Sequence, residues 1–312
     1  MNKKQNKELQ SNLPALKPKR FKHMLTINKF EDLNTVKNID KWLLKKRGYV
    51  FRMPKPGTPV IVSFSGGLDS TVLLGLIITK YKLIVYPLYI YDQPRAERES
   101  KSARQIINFF KKKYPKSIKP LITYHNNTIG NWAYKNTQLN LKNRVLVNAV
   151  IDSRENLPLL HSQYIYQQSG LKIYDIFCGI QYNDGKYNPS QTLAAIRTTT
   201  FNMCVKTGIY NWQFCSLFLE KELGYLIDKH ELIKIGNELK LPLEKTWSCF
   251  RLNKEHCGIC GNCITRKQAF LQAGVKDKTI YLKKTYLKNP KEISIPTYSS
   301  ILKRIIKRVI HY

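Results

Sequence analysis

Residues 60–78 read VIVSFSGGLDSTVLLGLII: an apolar, β-branched run meets a glycine pair, and a second apolar run starts behind Asp69, Ser70 and Thr71. The pattern predicts a strand, a tight turn and a helix. Gly66 and Gly67 allow the turn conformations that side chains disfavour. Backbone N–H groups then converge where the helix N-terminus adds its partial positive charge. Such a corner suits an anion, phosphate above all.

The common nucleotide loop, G-x-x-x-x-G-K-[ST], carries a Lys beside its last glycine, and this turn has none. Its run Ser65-Gly66-Gly67-Leu68-Asp69-Ser70 instead resembles the S-G-G-x-D-S loop of the PP-loop ATP pyrophosphatases, which cleave ATP between the α and β phosphates. The resemblance implies adenylation chemistry, with Ser65, Ser70 and the glycine amides on the departing pyrophosphate and Asp69 helping to place Mg²⁺. It marks Ser63, Phe64, Ser65, Gly66, Gly67, Leu68, Asp69, Ser70 and Thr71 as the ATP-binding stretch. The bland alternative is a plain strand-to-helix turn in which Asp69 and Ser70 merely cap the helix.

Outward from the loop the pattern alternates. A helix is expected over 34–46, with Val36, Ile39, Trp42 and Leu43 on one face, Asn34 capping its start and Gly48 its end. The proline-rich 52–59 is a linker. Strands are expected at 83–90, 121–124 and 173–178, and helices at 96–113, 157–168 and 189–206. Leu226 and Ile227 close a further strand before Asp228, which with Glu231 forms a capping box. Strands alternating with helices imply a parallel sheet, so the fold class is a doubly wound α/β domain. Ligands of such sheets sit at the carboxyl ends of the strands, which places residues 179–184 in one crevice with Ser65 and Ser70. No assignment follows for 125–151.

Of 312 residues 53 are Lys or Arg and 21 Asp or Glu, a net charge of +32 that favours polyanionic partners. No stretch is long and apolar enough to be a secretory leader or a membrane span, which leads to the expectation of a cytoplasmic protein. Cys249, Cys257, Cys260 and Cys263 have the spacing C-x7-C-x2-C-x2-C, which suits four thiolates around a structural Zn²⁺. An iron–sulfur cluster or a redox pair is the competing reading. His256 is either a replacement ligand or an exposed loop residue. Cys178, Cys204 and Cys215 have apolar neighbours and read as core.

A PP-loop followed by a four-Cys site resembles the 7-cyano-7-deazaguanine synthase family. The stretches KHELIKIGNELKLPLEKTWSCF (229–250), CGICGNCITRKQAFLQAG (257–274) and GIQYNDGKYNP (179–189) look like that family's motifs in the same order. The resemblance implies a ligase that makes 7-cyano-7-deazaguanine from 7-carboxy-7-deazaguanine, ATP with Mg²⁺, and ammonia through an acyl adenylate. Asp69, Ser65 and Asp184 are the catalytic candidates, Asp184 orienting metal, substrate or ammonia, unless it is a solvated turn residue. The chain departs from the family at Tyr91-Asp92-Gln93, at Arg154-Glu155-Asn156 and after Tyr187. These departures keep other readings open: coupling of the carboxylate to a protein or nucleic-acid amine, an ATP-dependent tRNA-modifying enzyme, or a non-catalytic nucleic-acid-binding subunit.

The expected organisation is a basic arm, helix and linker over 1–57, the ATP-binding domain over 58–245, the zinc subdomain over 246–275 and a basic extension over 276–312. That extension holds ten Lys or Arg against Asp277 and Glu292. Residues 301–309 have one apolar and one basic helical face. The basic termini are the candidate contact with a nucleic-acid or protein partner, and a homodimer is a further expectation.

Overall fold

Val60 and Val62 pack on one side of the central strand and Ile61 on the other, all three fully buried. A strand covered on both faces belongs in the middle of a parallel sheet. The computed structural model describes residues 28–91, 96–125, 156–186, 188–220, 227–251 and 254–282. Their sheet has five strands, β1 Pro59–Ser63, β2 Ile84–Tyr91, β3 Ile122–His125, β4 Asp175–Cys178 and β5 Gln213–Cys215, in the order β3-β2-β1-β4-β5. Every pairing is parallel.

The helices cover both faces. Helices α2 (Leu68–Thr79), α3 (Ala96–Lys113), α6 (Lys229–Glu238) and α7 (Gly261–Ala273) pack with Val60, Val62, Phe177 and Cys215. On the opposite face α1 (Leu33–Arg47), α4 (Asn156–Ser169) and α5 (Leu193–Thr207) pack with Ile61, Ile176 and Phe214. This is the expected doubly wound α/β architecture. Cys178, Cys204 and Cys215 are buried core residues, as their neighbours suggested.

Three sequence expectations shift. Asp32, not Asn34, caps α1, its carboxylate accepting from the N–H groups of Asn34 and Thr35, while Gly48 closes the helix in the left-handed region. The helix expected from Pro189 begins at Leu193, after a short 3-10 turn Pro189–Gln191, because the Thr192 hydroxyl accepts from Ala195 N–H and starts the helix there. The fifth strand is Gln213–Cys215. Ile227 is buried but lies outside any strand, and its neighbour Leu226 is outside the described residues. The arm 1–25, the segment 126–151, Asp92 and Gln93, Arg154 and Glu155, Tyr187 and the helical face at 301–309 also lie outside the described residues.

Two interactions bring the N-terminal segment onto the core. Glu31 accepts from the N–H groups of Leu193 and Ala194 at 2.9 and 2.8 Å, capping the start of α5. Buried Arg197 from α5 makes a bidentate pair with Glu220 and a third bond to Asp40 of α1. None of the helices among the described residues is long and apolar enough to cross a membrane.

Candidate active site and metal centre

From β1 the chain proceeds to β2 and β3 on one side of the sheet, then returns to place β4 and β5 on the other. The order therefore reverses between β1 and β4, where Ser63 pairs with Cys178 at the carboxyl ends. A doubly wound sheet leaves its ligand crevice at this point. The turn after β1 and residues 179–184 after β4 both open there. Their contact is close, since a Cβ on Gly179 would lie 2.8 Å from the N atom of Ser70.

The turn is built around Gly66. It has φ of +75°, and a Cβ there would stand 2.5 Å from the backbone N of Ala103. Its carbonyl accepts from the Ser102 hydroxyl at 2.8 Å and from Trp247 N–H at 3.0 Å. Gly67 differs from the expectation, since its φ is an ordinary −75°. What it supplies is room, as an added Cβ would meet the Ser65 hydroxyl at 3.2 Å. Gly67 is the N-cap of α2 and no side chain caps that end, so the plain capping role considered for Asp69 and Ser70 does not occur. The Ser65 hydroxyl accepts from Gly67 N–H and stands 3.2 Å from the Ser70 hydroxyl. Phe64 and Leu68 place their side chains in the core, and the Thr71 hydroxyl donates to Gly67 O. The Ser63 hydroxyl is buried without a hydrogen-bond partner.

Lys229, named in the sequence only within a motif, completes the crevice. It is the first residue of α6, whose start is fixed by the predicted capping box between Asp228 and Glu231. From there Nζ lies 3.2 Å from Asp69 Oδ2. Burial pulls the Lys229 pKa down, but the charges of Asp69 and Asp184 hold it above the ordinary value, so the amine is a cation at neutral pH. Asp184 is not a solvated turn residue. Its Oδ2 accepts from Gln181 N–H at 2.9 Å. Burial and the neighbouring Asp69 raise its carboxyl pKa to about 6, against the pull of Lys229. Two acceptors in this group are buried without a partner, Asp69 Oδ1 and Gln181 Oε1. Strand topology had brought residues 179–184 to this crevice, but spacing along the chain could not reveal Lys229, which comes from a third element.

The four cysteines also converge. Their sulfurs all lie within 4.8 Å of one another. Cys249 Sγ is 3.8 Å from Cys260 Sγ, and Cys257 Sγ is 3.9 Å from Cys263 Sγ. Thiolates bound at about 2.3 Å around one tetrahedral ion stand about 3.8 Å apart. Backbone N–H groups of Arg251 and Cys257 point at the Cys249 sulfur, and that of Cys260 at Cys257, as they would to stabilise thiolate charge. The residues thus fit a metal ion. Gly258 has φ of +77°, as its place in the chelating turn requires, whereas Gly261 merely begins α7.

His256 falls outside the ligand group and is buried, contrary to the exposed alternative. Its Nε2 accepts from Ser248 N–H at 3.1 Å, and burial together with nearby Arg266 lowers its pKa to about 4. A neutral imidazole thereby fixes the turn leading to Cys249. Arg266 of α7 is fully buried and donates to Thr246, Ser248, Thr279 and the carbonyl of Leu243. Through these bonds the cysteine subdomain is fastened to the segment that reaches Gly66.

Comparison with known proteins agrees with this arrangement. The family described as queuosine biosynthesis protein QueC matches residues 59–274. The chain is 30% identical over 242 residues to a 7-cyano-7-deazaguanine synthase of Methanocaldococcus jannaschii, covering 71% of this chain and 98% of that one. A 7-cyano-7-deazaguanine synthase of Acetivibrio thermocellus is 28% identical over 244 residues, 72% of this chain and 98% of that one. One from Saccharolobus solfataricus is 26% identical over 226 residues, which span 71% of this chain but 47% of that longer protein. A solved U34-tRNA thiolase NcsA from Methanococcus maripaludis with its [4Fe-4S] cluster aligns with a TM-score of 0.38 and 13% identity, covering 84% of this chain and 91% of that one. A likeness that weak bears neither on the metal nor on the reaction. The family match spans more than half of the sequence, and with the doubly wound sheet and the turn at its switch point it makes the chain a member of the QueC family of queuosine biosynthesis proteins.

Proposed function

We propose that the protein is an ATP-dependent carbon–nitrogen ligase that converts 7-carboxy-7-deazaguanine and ammonia into 7-cyano-7-deazaguanine. The observation that carries this reading is the meeting of the uncapped α2 N-terminus with Asp69, Lys229 and Asp184 at the crevice between β1 and β4. Family membership supports the substrate class.

A carboxylate resists amination because its leaving group would be oxide. Attack of a carboxylate oxygen on the α-phosphorus of ATP forms an acyl–O–P bond and releases pyrophosphate. Ammonia then forms the C–N bond as the C–O bond to AMP breaks, giving the amide and a proton. In a second round the amide oxygen attacks another ATP. Loss of AMP and of the remaining N–H protons leaves the nitrile. Each round builds negative charge on the departing phosphate. The N–H groups at the uncapped start of α2 and the Ser65 and Ser70 hydroxyls suit that charge, and Lys229, held by Asp69, adds a fixed cation to the crevice. Holding acyl adenylate and nucleophile in one crevice supplies much of the remaining rate. Mg²⁺ arriving with ATP would neutralise phosphate charge, and the unpartnered Asp69 Oδ1 is a hard oxygen suited to it. We further propose Zn²⁺ for the cysteine centre, in a structural role. Four protein ligands leave no open coordination position, and a four-iron cluster would spread its thiolates over separate irons, wider than these sulfurs stand. Four reduced thiols and a nucleotide-derived substrate suit a cytoplasmic enzyme.

The test is turnover of the zinc-loaded protein with ATP, Mg²⁺, ammonium and 7-carboxy-7-deazaguanine, read by mass spectrometry. Nitrile with AMP is the expected result. AMP with adenylate but neither amide nor nitrile would point to a different amine acceptor, and no AMP would overturn the ligase reading.

A further inference from the structure

We propose that Gln181, together with Asp184, forms the seat of the nitrogen nucleophile, an N–H donor of the ammonia or ammonium class. The proposal rests on the ligase reading above and assigns the position of its smallest substrate.

Gln181 lies three residues beyond the end of β4, only 2% exposed. Its backbone N–H donates to Asp184 Oδ2, and its side chain is hydrogen-bonded to the same carboxylate. A carboxylate accepts only, so the amide must turn its NH₂ group towards Asp184 and its oxygen away. That oxygen, Oε1, is buried and has no hydrogen-bond partner. A buried acceptor left unmade costs about 1–3 kcal/mol, so in native structures such an oxygen is completed by water, an ion or a ligand.

The neighbours decide what kind of ligand. Gly179 presses on the first turn of α2, which brings this loop against Asp69. Asp69 Oδ1 is the second buried acceptor without a partner. Lys229, the cation of the cluster, is already engaged by Asp69. With Asp69 Oδ1 left to Mg²⁺, the unfilled Gln181 Oε1 lacks a hydrogen-bond donor, and a small nitrogen species is made of little else. Its place is also chemically apt. The nucleophile has to approach the acyl carbon beside the α-phosphate, while the pyrophosphate leaves towards the α2 turn.

The experiment measures apparent KM for ammonium, for the carboxylate and for Mg²⁺ separately in the full chain and in two variants. Gln181→Met removes the acceptor at similar volume, and Gln181→Asn keeps the amide but withdraws it by one methylene. The expected result is a rise of about tenfold or more in ammonium KM for Gln181→Met and a smaller rise for Gln181→Asn, with the carboxylate and Mg²⁺ values within about twofold. Should Gln181→Met fail to fold, Gln181→Asn carries the same test. An unchanged ammonium KM, or a shift confined to the carboxylate or to Mg²⁺, overturns the assignment while leaving the ligase reading intact. No carboxylate-dependent AMP formation in the unaltered chain would instead overturn the ligase reading, and the nucleophile seat with it.

Discussion

Trp247 donates its backbone N–H to the carbonyl of Gly66 at 3.0 Å, so the segment entering the cysteine cluster at Cys249 is tied directly to the glycine turn that opens α2. Ser102 reinforces the joint, its hydroxyl standing 2.8 Å from Gly66 O and 2.6 Å from Lys245 O so that its one proton is shared between the two carbonyls. A metal ion held by the cysteines would therefore act on the proposed nucleotide site through one short covalent stretch. Metal analysis of the purified chain should find zinc in a one-to-one ratio and no iron. Stripping it with a chelator, or replacing buried Cys263 by Ser, should lower the thermal midpoint and weaken ATP binding about tenfold, read by calorimetry. Normal ATP affinity in the metal-free chain would mean that the two sites are not coupled through Trp247.

Gly66 offers a sharper test of the turn itself. Its φ of +75° and the 2.5 Å approach of an added Cβ to Ala103 N act together, and the obstacle is backbone that cannot swing aside. Gly66→Ala should cost about 3 kcal/mol or more in urea unfolding. Gly261→Ala is the control. A Cβ there meets nothing within 4 Å, at the first residue of α7. It should leave stability the same or raise it by up to about 1 kcal/mol. Equal effects at the two positions would refute the account of the turn.

At the amino end of β4, away from the crevice, Asp175 makes a separate prediction about pH. Burial raises its pKa to about 6, although Arg52 and Arg47 pull it down. The folded state thus holds this proton more tightly than the unfolded chain, whose carboxyl titrates near 3.8. Its contribution to stability is present at low pH and is lost as pH rises through about 6. Asp175→Asn keeps an oxygen to accept from Gln213 Nε2, which now bonds Asp175 Oδ1 at 3.0 Å. The variant should gain about 1–2 kcal/mol relative to the parent on going from pH 5 to pH 7, measured by denaturant unfolding at each pH. A parallel pH dependence in the two proteins would show that Asp175 is ionised at no cost.

Local signals carried much of this structure. The six residues 65–70 and the spacing of four cysteines are short-range patterns, so the glycine turn that opens α2 and the convergence of the four cysteines could be read from them. The Asp228 and Glu231 box marked the start of α6 for the same reason. What escaped was set by tertiary contacts. Strand β5, three residues long, has too few positions to show alternation, and its place is fixed by pairing with β4. Asp32 and Asn34 are both good caps by type, and only the backbone geometry chose between them. The partnership of Lys229 with Asp69 spans 160 positions, and no periodicity encodes it.

That partnership yields the most direct test of the crevice. Lys229 Nζ stands 3.2 Å from Asp69 Oδ2, and its charge is also what holds the Asp184 pKa down against burial and Asp69. In the proposed ligase reaction Lys229→Met removes a cation from beside the departing pyrophosphate, so kcat should fall about 100-fold or more, with a smaller loss for Lys229→Arg. The same change leaves Asp69 and Asp184 facing each other without a counter-charge. The Asp184 pKa then climbs above about 6, and if catalysis needs its carboxylate, the acidic limb of the residual pH–rate profile moves to higher pH. Asp69→Asn should return that limb towards its original position by removing the repulsion. In the double variant the two losses should be less than additive, because each single change breaks the same pair. Full turnover by Lys229→Met, or a pH profile that does not move, would show that the Lys229 charge lies outside the reacting centre.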